Sequence, residues 1–518
     1  MIQNSFGTGG FRICFDCDLD KFRIRRFGII FQRKVEMSRI FPIVCLIVLL
    51  IARPEIGLAQ AGGGNGGGNG GGNGGGGGGG AGGNNGGGGN NQNNSSGIVI
   101  DAQGVVSLTM AVDGSGTLDK KRRDVIAKKN RTQDVHHKSK RRLVSLVQLE
   151  RRIDEVLSNG NAISDELFYM AGLQRIDHVF VFPDERDLVI AGPAEGYVPD
   201  AVGRMIGIES GRPVLRLDDL FVALRTISKS SQVGCSIDPV PQRLAELREF
   251  IREGVPATVD EVEARFNQMD DILGLQNVRI DGVPDDSHFA TMLVEADYRM
   301  KRISMGLETP AIKGLKSHLA MVGTGGNAMQ RWWFIPSYDA IYRSGDGLSF
   351  QFVGQRAQLV AEDEIADAAG NRSSAPVSRK STLAFAKQFT DKFAQLADKS
   401  PVFGELQNLI DWAVFAALLR SEQIPQQIGW KQELLLDETR LIHPPFDVPK
   451  KIPSQVNYKR SGNLVIGLVG GGVVVSPAKI VDDTKRPAKD PAALDESRTA
   501  AWSAPRTDSH QWWWDSEK

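Results

Sequence analysis

The sequence predicts a mixed α+β fold, in which short antiparallel strands and hairpins pack against amphipathic helices. Three observations support this class. Apolar residues at 284–307 recur every three or four positions, as on one face of a helix. Residues 178–192 have the apolar and β-branched pattern of two strands on either side of a turn at 183–186, as in a β-hairpin. Strands and helices follow one another irregularly elsewhere, which favours an α+β domain or a loosely organised α/β one.

The N-terminal part has the features of an export signal. The chain has 518 residues, of which 41% are hydrophobic and 24% charged, so a wholly disordered protein is excluded and two to four domains fit the length. An apolar run at 40–52 follows Arg39 and precedes a polar segment that ends Ala59-Gln60-Ala61. A short apolar core with a basic front and an Ala-x-Ala ending predicts a secretory signal.

Two readings of this signal stay open. In the first, Met37 starts the protein, residues 1–36 are an upstream or non-native extension, and residues 37–61 are a cleaved signal peptide. The protein is then secreted, periplasmic or on the cell surface. In the second, Met1 is the start and the apolar run stays as a single N-terminal membrane anchor with a basic flank at 23–26. We expect membrane contact only through this uncleaved segment.

Composition divides the rest of the chain. Residues 62–96 are almost only glycine and asparagine, which predicts a disordered linker because nothing in them can be buried. Two α+β lobes are predicted at 97–273 and 274–476. Residues 477–518 are polar and rich in proline up to three tryptophans at 512–514, which predicts a disordered tail with a terminal Trp cluster.

Charge and cysteine content exclude some classes of protein. The chain has 62 basic and 62 acidic residues, and residues 1–61 contain nine and five of them, so the mature chain carries 53 − 57 = −4. This balance argues against a nucleic-acid partner. Removal of residues 1–61 also leaves Cys235 as the single cysteine, so the mature chain can form no internal disulfide.

The helix predicted at 284–307 is expected to be the packing centre of the fold. Asp285 or Asp286 is expected to cap its first turn, and Gly306 marks its end. Its apolar face is formed by Phe289, Met292, Leu293, Ala296, Met300, Ile303 and Leu307.

Two acid and base pairs lie four residues apart in the same helix. They are Glu295 with Arg299 and Asp297 with Lys301. Such pairs add a few tenths of a kcal/mol on a solvent-facing side. We therefore expect burial of the apolar face to outweigh them.

The other elements follow from periodicity and turn signals. Helical spacing predicts helices at 143–157, 217–227, 241–251, 259–273, 311–322, 382–397 and 401–419. Alternating or β-branched stretches predict two short strands after residue 97 and further strands at 233–237, 278–280, 331–335, 348–353, 357–360, 456–459, 464–469 and 473–476. Gly470 to Gly472 are expected to form the turn of a terminal hairpin.

A basic stretch at 120–142 contains eleven Lys or Arg and two Asp. Such a charge could bind an envelope polymer or another anionic surface. The alternative is a solvated helix face or loop, and no aromatic residue is interleaved on which bases could stack. The candidate residues are Lys120, Lys121, Arg122, Arg123, Lys138, Lys140, Arg141 and Arg142.

Catalytic motifs are sparse. The histidines lack zinc spacing, and no nucleophile elbow, phosphate loop or dinucleotide fingerprint is present, so no cofactor or metal is predicted. The residues to test first as an acid, base or nucleophile set are Asp285, Asp286, His288 and Glu295. Cys235 could pair with His288 or His318, but a small core residue is the simpler interpretation.

Several strings agree in order with one known family. They are HVFVFPDERDLVIAGPAEGY, GCSIDP, VPDDSHFATMLVEADYRMKRISMGL, RWWFIPSYDAIYR, the helix from Ser400 and IPSQVN at Ile452 to Asn457. With these, the chain resembles a family of exported proteins of unknown function from planctomycete-type bacteria. The resemblance implies export and one folded body over residues 97–476, and it implies no activity.

The sequence thus favours an exported envelope or extracellular protein with a binding or structural role, of unknown partner and without enzymatic activity. The alternative is a hydrolase of an envelope polymer that uses the carboxylate and histidine residues near 285–295.

Overall fold

The structure is a computed structural model that describes residues 98–100, 106–108, 120–121, 123–125, 134–252, 259–323, 328–461, 463–506 and 511–517. The predicted extension, signal segment and Gly/Asn-rich linker lie outside these residues. Residues 88–518 form one compact unit.

Helices account for much of the described chain, and together with the sheets they confirm the α+β class. Their bounds are α1 (Leu146–Ser158), α2 (Asp165–Phe168), α3 (Leu217–Lys229), α4 (Pro241–Arg252), α5 (Val259–Leu273), α6 (His288–Met305), α7 (His318–Met321), α8 (Lys380–Asp391), α9 (Phe393–Lys399), α10 (Pro401–Ser421), α11 (Ile424–Ile428), α12 (Pro477–Thr484) and α13 (Pro491–Ser503). The helix predicted at 311–322 is thus reduced to α7, and the one predicted at 382–397 is interrupted at Lys392.

The strands form two large sheets and two small hairpins. Their bounds are β1 (Ile98–Ile100), β2 (Val106–Leu108), β3 (Ser139–Ser145), β4 (His178–Phe182), β5 (Asp187–Ala194), β6 (Tyr197–Pro199), β7 (Met205–Gly207), β8 (Val233–Asp238), β9 (Leu275–Asp281), β10 (Ala328–Ser337), β11 (Ala340–Arg343), β12 (Ser349–Val353), β13 (Arg356–Ala366), β14 (Arg372–Ser374), β15 (Lys451–Pro453), β16 (Gln455–Ser461), β17 (Asn463–Val475), β18 (Lys485–Pro487) and β19 (Trp513–Glu517). The eight-stranded sheet has the order β14-β13-β10-β17-β8-β9-β15, with β16 also paired to β17. The seven-stranded sheet has the order β18-β11-β12-β4-β5-β3-β19.

The glycines of β17 correct the predicted terminal hairpin. β17 runs unbroken through Gly470 to Gly472 and pairs in parallel with β10 and antiparallel with β8. A Cβ atom on Gly471 would overlap the carbonyl oxygen of Trp332, and one on Gly472 would overlap that of Cys235. The glycines are therefore needed for close backbone approach in the middle of the sheet, not for a turn. The reversal of the chain lies earlier, between β16 and β17.

The described part of the predicted tail is folded, which corrects the prediction of disorder. β19 pairs antiparallel with β3 and closes one edge of the seven-stranded sheet. Trp514 is buried and packs in one cluster with Leu494 and Ala501 of α13 and with Phe180 of β4. The apolar Trp and Ala positions of this segment therefore cover a sheet face that would otherwise be exposed.

Both large sheets also correct the division into two lobes. In the seven-stranded sheet, β4 from before residue 273 pairs with β12 from after it. In the eight-stranded sheet, β8 pairs with β17. Neither large sheet therefore belongs to one predicted lobe, and the boundary falls between two elements of one body.

Helices α6 and α10 lie in a core cluster that contains side chains of both large sheets. α10 is long and apolar enough to cross a membrane by length and composition, but its apolar stretch of 18 residues is wholly buried inside the protein. α6 begins after Ser287, whose hydroxyl accepts a hydrogen bond from the Ala290 amide, and it ends at Gly306 with φ 72°. The predicted cap at Asp285 or Asp286 is therefore wrong, while the predicted end is confirmed.

Candidate functional site

The four predicted catalytic residues do not come together. Asp285 is exposed. Asp286 is also exposed and binds Nε2 of His443 at 2.9 Å. His288 and Glu295, by contrast, are buried inside the protein. The predicted set is thus split between the surface and the core.

His288 lies between two carboxylates from other helices. Its Nδ1 is 2.9 Å from Asp219 of α3, and its Nε2 is 3.7 Å from Glu405 of α10. Burial and the Arg216 charge lower the pKa of the imidazole, but the two carboxylates outweigh them and raise it to about 9. His288 is therefore a buried cation at neutral pH.

Arg204 continues this network towards the third turn of α6. Its guanidinium is 2.6 Å from Glu295 and 2.9 Å from Glu405. Burial lowers the pKa of Arg204, but the two glutamates and Asp200 raise it above the ordinary arginine value. The pair predicted between Glu295 and Arg299 is 3.7 Å apart, with Glu295 fully buried and not on a solvent-facing side.

Arg216 completes the network at the start of α3. It donates two hydrogen bonds to Asp218, at 2.9 and 2.7 Å. The rings of Phe168, Tyr169 and Phe446 surround its guanidinium at 5.1 to 5.9 Å. A charge that is paired and stacked in this way is tolerated in the core. We call the whole set the buried ion cluster: Arg204, Arg216, Asp218, Asp219, His288, Glu295 and Glu405.

The chemistry open to the buried ion cluster is limited. His288 already carries a proton, so it cannot act as a general base at neutral pH. Burial favours a higher pKa for Glu405, but Arg204 and His288 lower it below the usual value, which keeps the carboxylate ionised. Three cations thus face four carboxylates, and their ion pairs join α3, α6 and α10 to the segment between β6 and β7.

Asp297 and Lys301 form a second buried pair in α6, which corrects their predicted place at the surface. Both side chains are fully buried, with Nζ 2.7 Å from the carboxylate. Lys301 also donates to the carbonyl of Ile237. Burial raises the pKa of Asp297 to about 6 against the opposing effect of Lys301.

Cys235 is a core residue of β8. It is 3% exposed, and burial raises the pKa of its thiol far above the ordinary value. A thiol in this state is a poor nucleophile. Among the described residues no set of three or more His, Cys, Asp or Glu could hold a metal ion.

Part of the predicted polyanion site makes contacts within the protein. Arg142 is fully buried and pairs with Asp515 at 2.9 Å. Arg141 pairs with Glu517, and Lys138 with Glu209. Arg142 is therefore not available to a polymer and Arg141 is only partly exposed, whereas Lys138 is more than half exposed and its surface pair is weak.

The remaining members of that site divide in three ways. Arg123 donates to the carbonyls of residues 207–209. Lys120, Lys121 and Lys140 are exposed. Arg122 lies outside the described residues. Together with Lys138, the stretch therefore has four described exposed lysines, which is a smaller basic surface than predicted.

The described surface has concave regions along residues 425–443, which the sequence did not suggest. A cavity of about 680 Å³, which we call the groove, lies between the C-terminal ends of α3 and α10. A cavity of about 320 Å³ shares residues 429–432 with it. A third of about 430 Å³, the side cavity, shares Arg225, Lys229 and Glu438 with the groove and includes His443.

The segment around these cavities is fixed by the body of the protein. Glu150 accepts hydrogen bonds from the Trp430 indole and from the amides of Leu434 and Leu435. Arg225 donates to the carbonyls of residues 435, 437 and 441. The walls of the cavities are therefore held in place, as a pre-formed binding site requires.

Comparison with known proteins gives one domain match. No curated protein and no solved structure matches the chain. A family model described as "Protein of unknown function (DUF1598)" matches residues 235–318. This segment runs from β8 to the start of α7, so it contains α6 with His288 and Glu295 and spans the predicted lobe boundary. The chain therefore carries a DUF1598 domain of unknown function at residues 235–318.

Proposed function

We propose that the protein is an exported component of the cell envelope or extracellular space that binds another molecule and catalyses no reaction. Export is supported by the signal-like segment at 37–61, or by the same segment as an uncleaved anchor. The Gly/Asn-rich residues 62–96 would then separate the folded body from a surface or wall.

The observation that carries the binding role is the concave surface along residues 425–443. Its cavities adjoin one another, and their walls are fixed by Glu150 and Arg225. The groove combines apolar side chains with a few charged ones, which is the usual composition of a ligand site. The buried ion cluster, by contrast, supports the fold from inside and offers no free base.

A hydrolase is the second candidate, and one observation favours it. Asp286 binds Nε2 of His443, and His443 lines the side cavity together with Pro284 and Glu438. Such a pair could orient the imidazole so that Nδ1 accepts a proton from a water as that water attacks a scissile bond. The proton would then pass to the leaving group. This hydrolase would use Asp286 from the predicted set, but its histidine would be His443 and not His288.

The binding role predicts retention by envelope material. We expect the mature protein to co-sediment with insoluble envelope fractions and the Leu436→Asp variant to be retained about tenfold less, because Leu436 is an exposed apolar wall of the groove. Leu383→Asp on α8 is the matched control, since Leu383 is similarly exposed and far along the chain from the groove. Equal retention of the two variants would refute a binding role for the groove.

The same fractions separate the two candidates. If the protein releases soluble fragments from envelope polymer, and His443→Gln and Asp286→Asn abolish that release, the hydrolase is correct. If no fragments appear while retention persists, the binding protein is correct. N-terminal sequencing of the exported protein tests the leader: a mature chain that begins at Gly62 supports cleavage after Ala61.

A further inference from the structure

The floor of the groove is apolar and is built by two helices and the segment that follows them. Leu224 and Ile227 come from α3, and Ala416 and Leu419 come from α10. Leu436 adds an exposed apolar side chain at the edge. The volume of the groove, about 680 Å³, lies within the range of about 300–1,000 Å³ that small-molecule sites occupy.

The rim of the groove carries an excess of positive charge. Lys229, Arg420 and Lys431 are exposed there, against one acidic residue, Glu438. Lys229 pairs with Glu438, but both side chains are more than half exposed. Lys431 is 3.4 Å from Glu433, again with both side chains largely in solvent. Such surface pairs are weak, so an anionic ligand can replace the partner of either lysine.

Arg420 is more firmly placed than the two lysines. One of its guanidinium nitrogens, Nη1, donates to the carbonyl of Ile227 near the C-terminal end of α3. This contact holds the guanidinium at the rim, and its other nitrogens can donate to a carboxylate.

Gln432 lines the groove in an unusual backbone conformation. Its φ of 57° lies in the left-handed region, which is uncommon for a residue other than glycine. Its Nε2 atom is buried and has no hydrogen-bond acceptor among the described residues. Strained residues and orphaned polar atoms concentrate at ligand sites.

We propose that the groove binds a single-chain anionic amphiphile, namely a long-chain carboxylate. Its alkyl chain would lie on the apolar floor, and its carboxylate would accept hydrogen bonds at the rim from Arg420 and the two lysines. Gln432 supplies a further amide donor inside the groove. This inference names the ligand class of the proposed binding protein and therefore rests on that function.

Binding of sodium dodecanoate to the folded protein tests the proposal, measured by calorimetry below the micellar concentration. We expect Leu436→Asp to raise the Kd about tenfold or more, because it places a charge on the apolar wall. We expect the double variant Lys229→Gln, Lys431→Gln to raise it about threefold to fivefold and to weaken its dependence on salt.

The control is matched in residue type. Leu383 and Lys387 are an exposed leucine and lysine on α8, so Leu383→Asp repeats the leucine change and Lys387→Gln repeats one of the two lysine changes outside the groove. We expect both to bind dodecanoate like the unmodified protein. Dodecyltrimethylammonium, with the same chain and the opposite charge, should bind about tenfold more weakly or not at all.

Three outcomes would overturn the proposal. Equal affinity for the two amphiphiles would show that the rim does not select an anion. An equal effect of groove and control variants would show that the chain binds elsewhere. If dodecanoate fails to bind while envelope material still retains the protein through Leu436, the ligand class is wrong but the binding role stands. If both fail, the proposed function is wrong as well.

Discussion

At the scale of the residue, His288 shows how a buried charge can stabilise this fold. An isolated imidazolium in the core would be costly, but two carboxylates and the ring of Phe446, 5.2 Å away, surround this one. His288 and its two carboxylate partners come from three helices, so the ion pairs hold those helices at one relative position. Removal of a single partner leaves the others buried without compensation.

We predict that His288→Gln lowers the free energy of unfolding by about 3–5 kcal/mol at pH 7. The pKa of His288 is about 9 in the folded protein and about 6.5 in the unfolded chain. The charged imidazole therefore stabilises the fold fully below pH 6.5, and this stabilisation is lost as the pH rises through 9. Urea unfolding at pH 7 and pH 10 measures this.

Between pH 7 and pH 10, the free energy of unfolding of the original protein should fall by on the order of 3 kcal/mol more than that of His288→Gln. His443→Gln, at the partly exposed pair with Asp286, should change stability by less than about 1 kcal/mol at either pH. If His288→Gln follows the same pH profile as the original protein, His288 is not charged in the fold.

The sequence identified His288 as a polar residue at a helix start but could not identify its partners. Asp219 is 69 residues earlier in the chain, and Arg204 is 91 residues from Glu295. Periodicity reports contacts within one helix, not contacts across such distances. A usable signal was Glu405, an acidic residue in the strongly apolar helix α10, since buried acids need partners.

At the scale of the element, α6 and β17 show what local patterns can and cannot predict. The spacing of apolar residues predicted the body of α6, and the strand predicted at 331–335 lies within β10. Charge pairs at four-residue spacing predicted contact correctly for Asp297 and Lys301, but not their burial. For β17, three consecutive glycines led to the prediction of a turn. Local sequence does not show that the backbones of two neighbouring strands, β10 and β8, approach β17 closely at this point.

We predict that Gly471→Ala lowers the free energy of unfolding by more than about 3 kcal/mol or prevents folding, because the new methyl group would overlap the carbonyl of Trp332. Gly429→Ala is the control. Gly429 also has a positive φ, but nothing lies within 4 Å of the added Cβ, so only the cost of a left-handed alanine, about 1 kcal/mol, is expected. Thermal and urea unfolding compare the two, and similar losses would contradict the account of β17.

At the scale of the whole molecule, the described residues behave as one body because both large sheets combine early and late parts of the chain. Composition could not show this, since helices and strands are present on both sides of residue 273. The export prediction and the linker depend on residues before 97 and stay predictions. The tail at 477–518 was misjudged because its prolines start two helices, α12 and α13.

We predict that residues 97–518 unfold in a single urea transition, and that residues 97–273 alone show no cooperative transition. The fragment would lose β12 beside β4, and both β17 and β9 beside β8. Circular dichroism and limited proteolysis of the fragment measure this. A sharp transition of the fragment alone would restore the two-lobe organisation.

The pair between Arg142 and Asp515 has a consequence for the order of events during synthesis. Arg142 is translated 373 residues before Asp515, and its guanidinium is placed in the core with that carboxylate and three carbonyl groups. Until Asp515 arrives, the cation is favoured in water and the edge of the sheet at β3 stays open. The seven-stranded sheet therefore cannot be completed until β19 has been synthesised, so Arg142 stays hydrated while most of the chain is made.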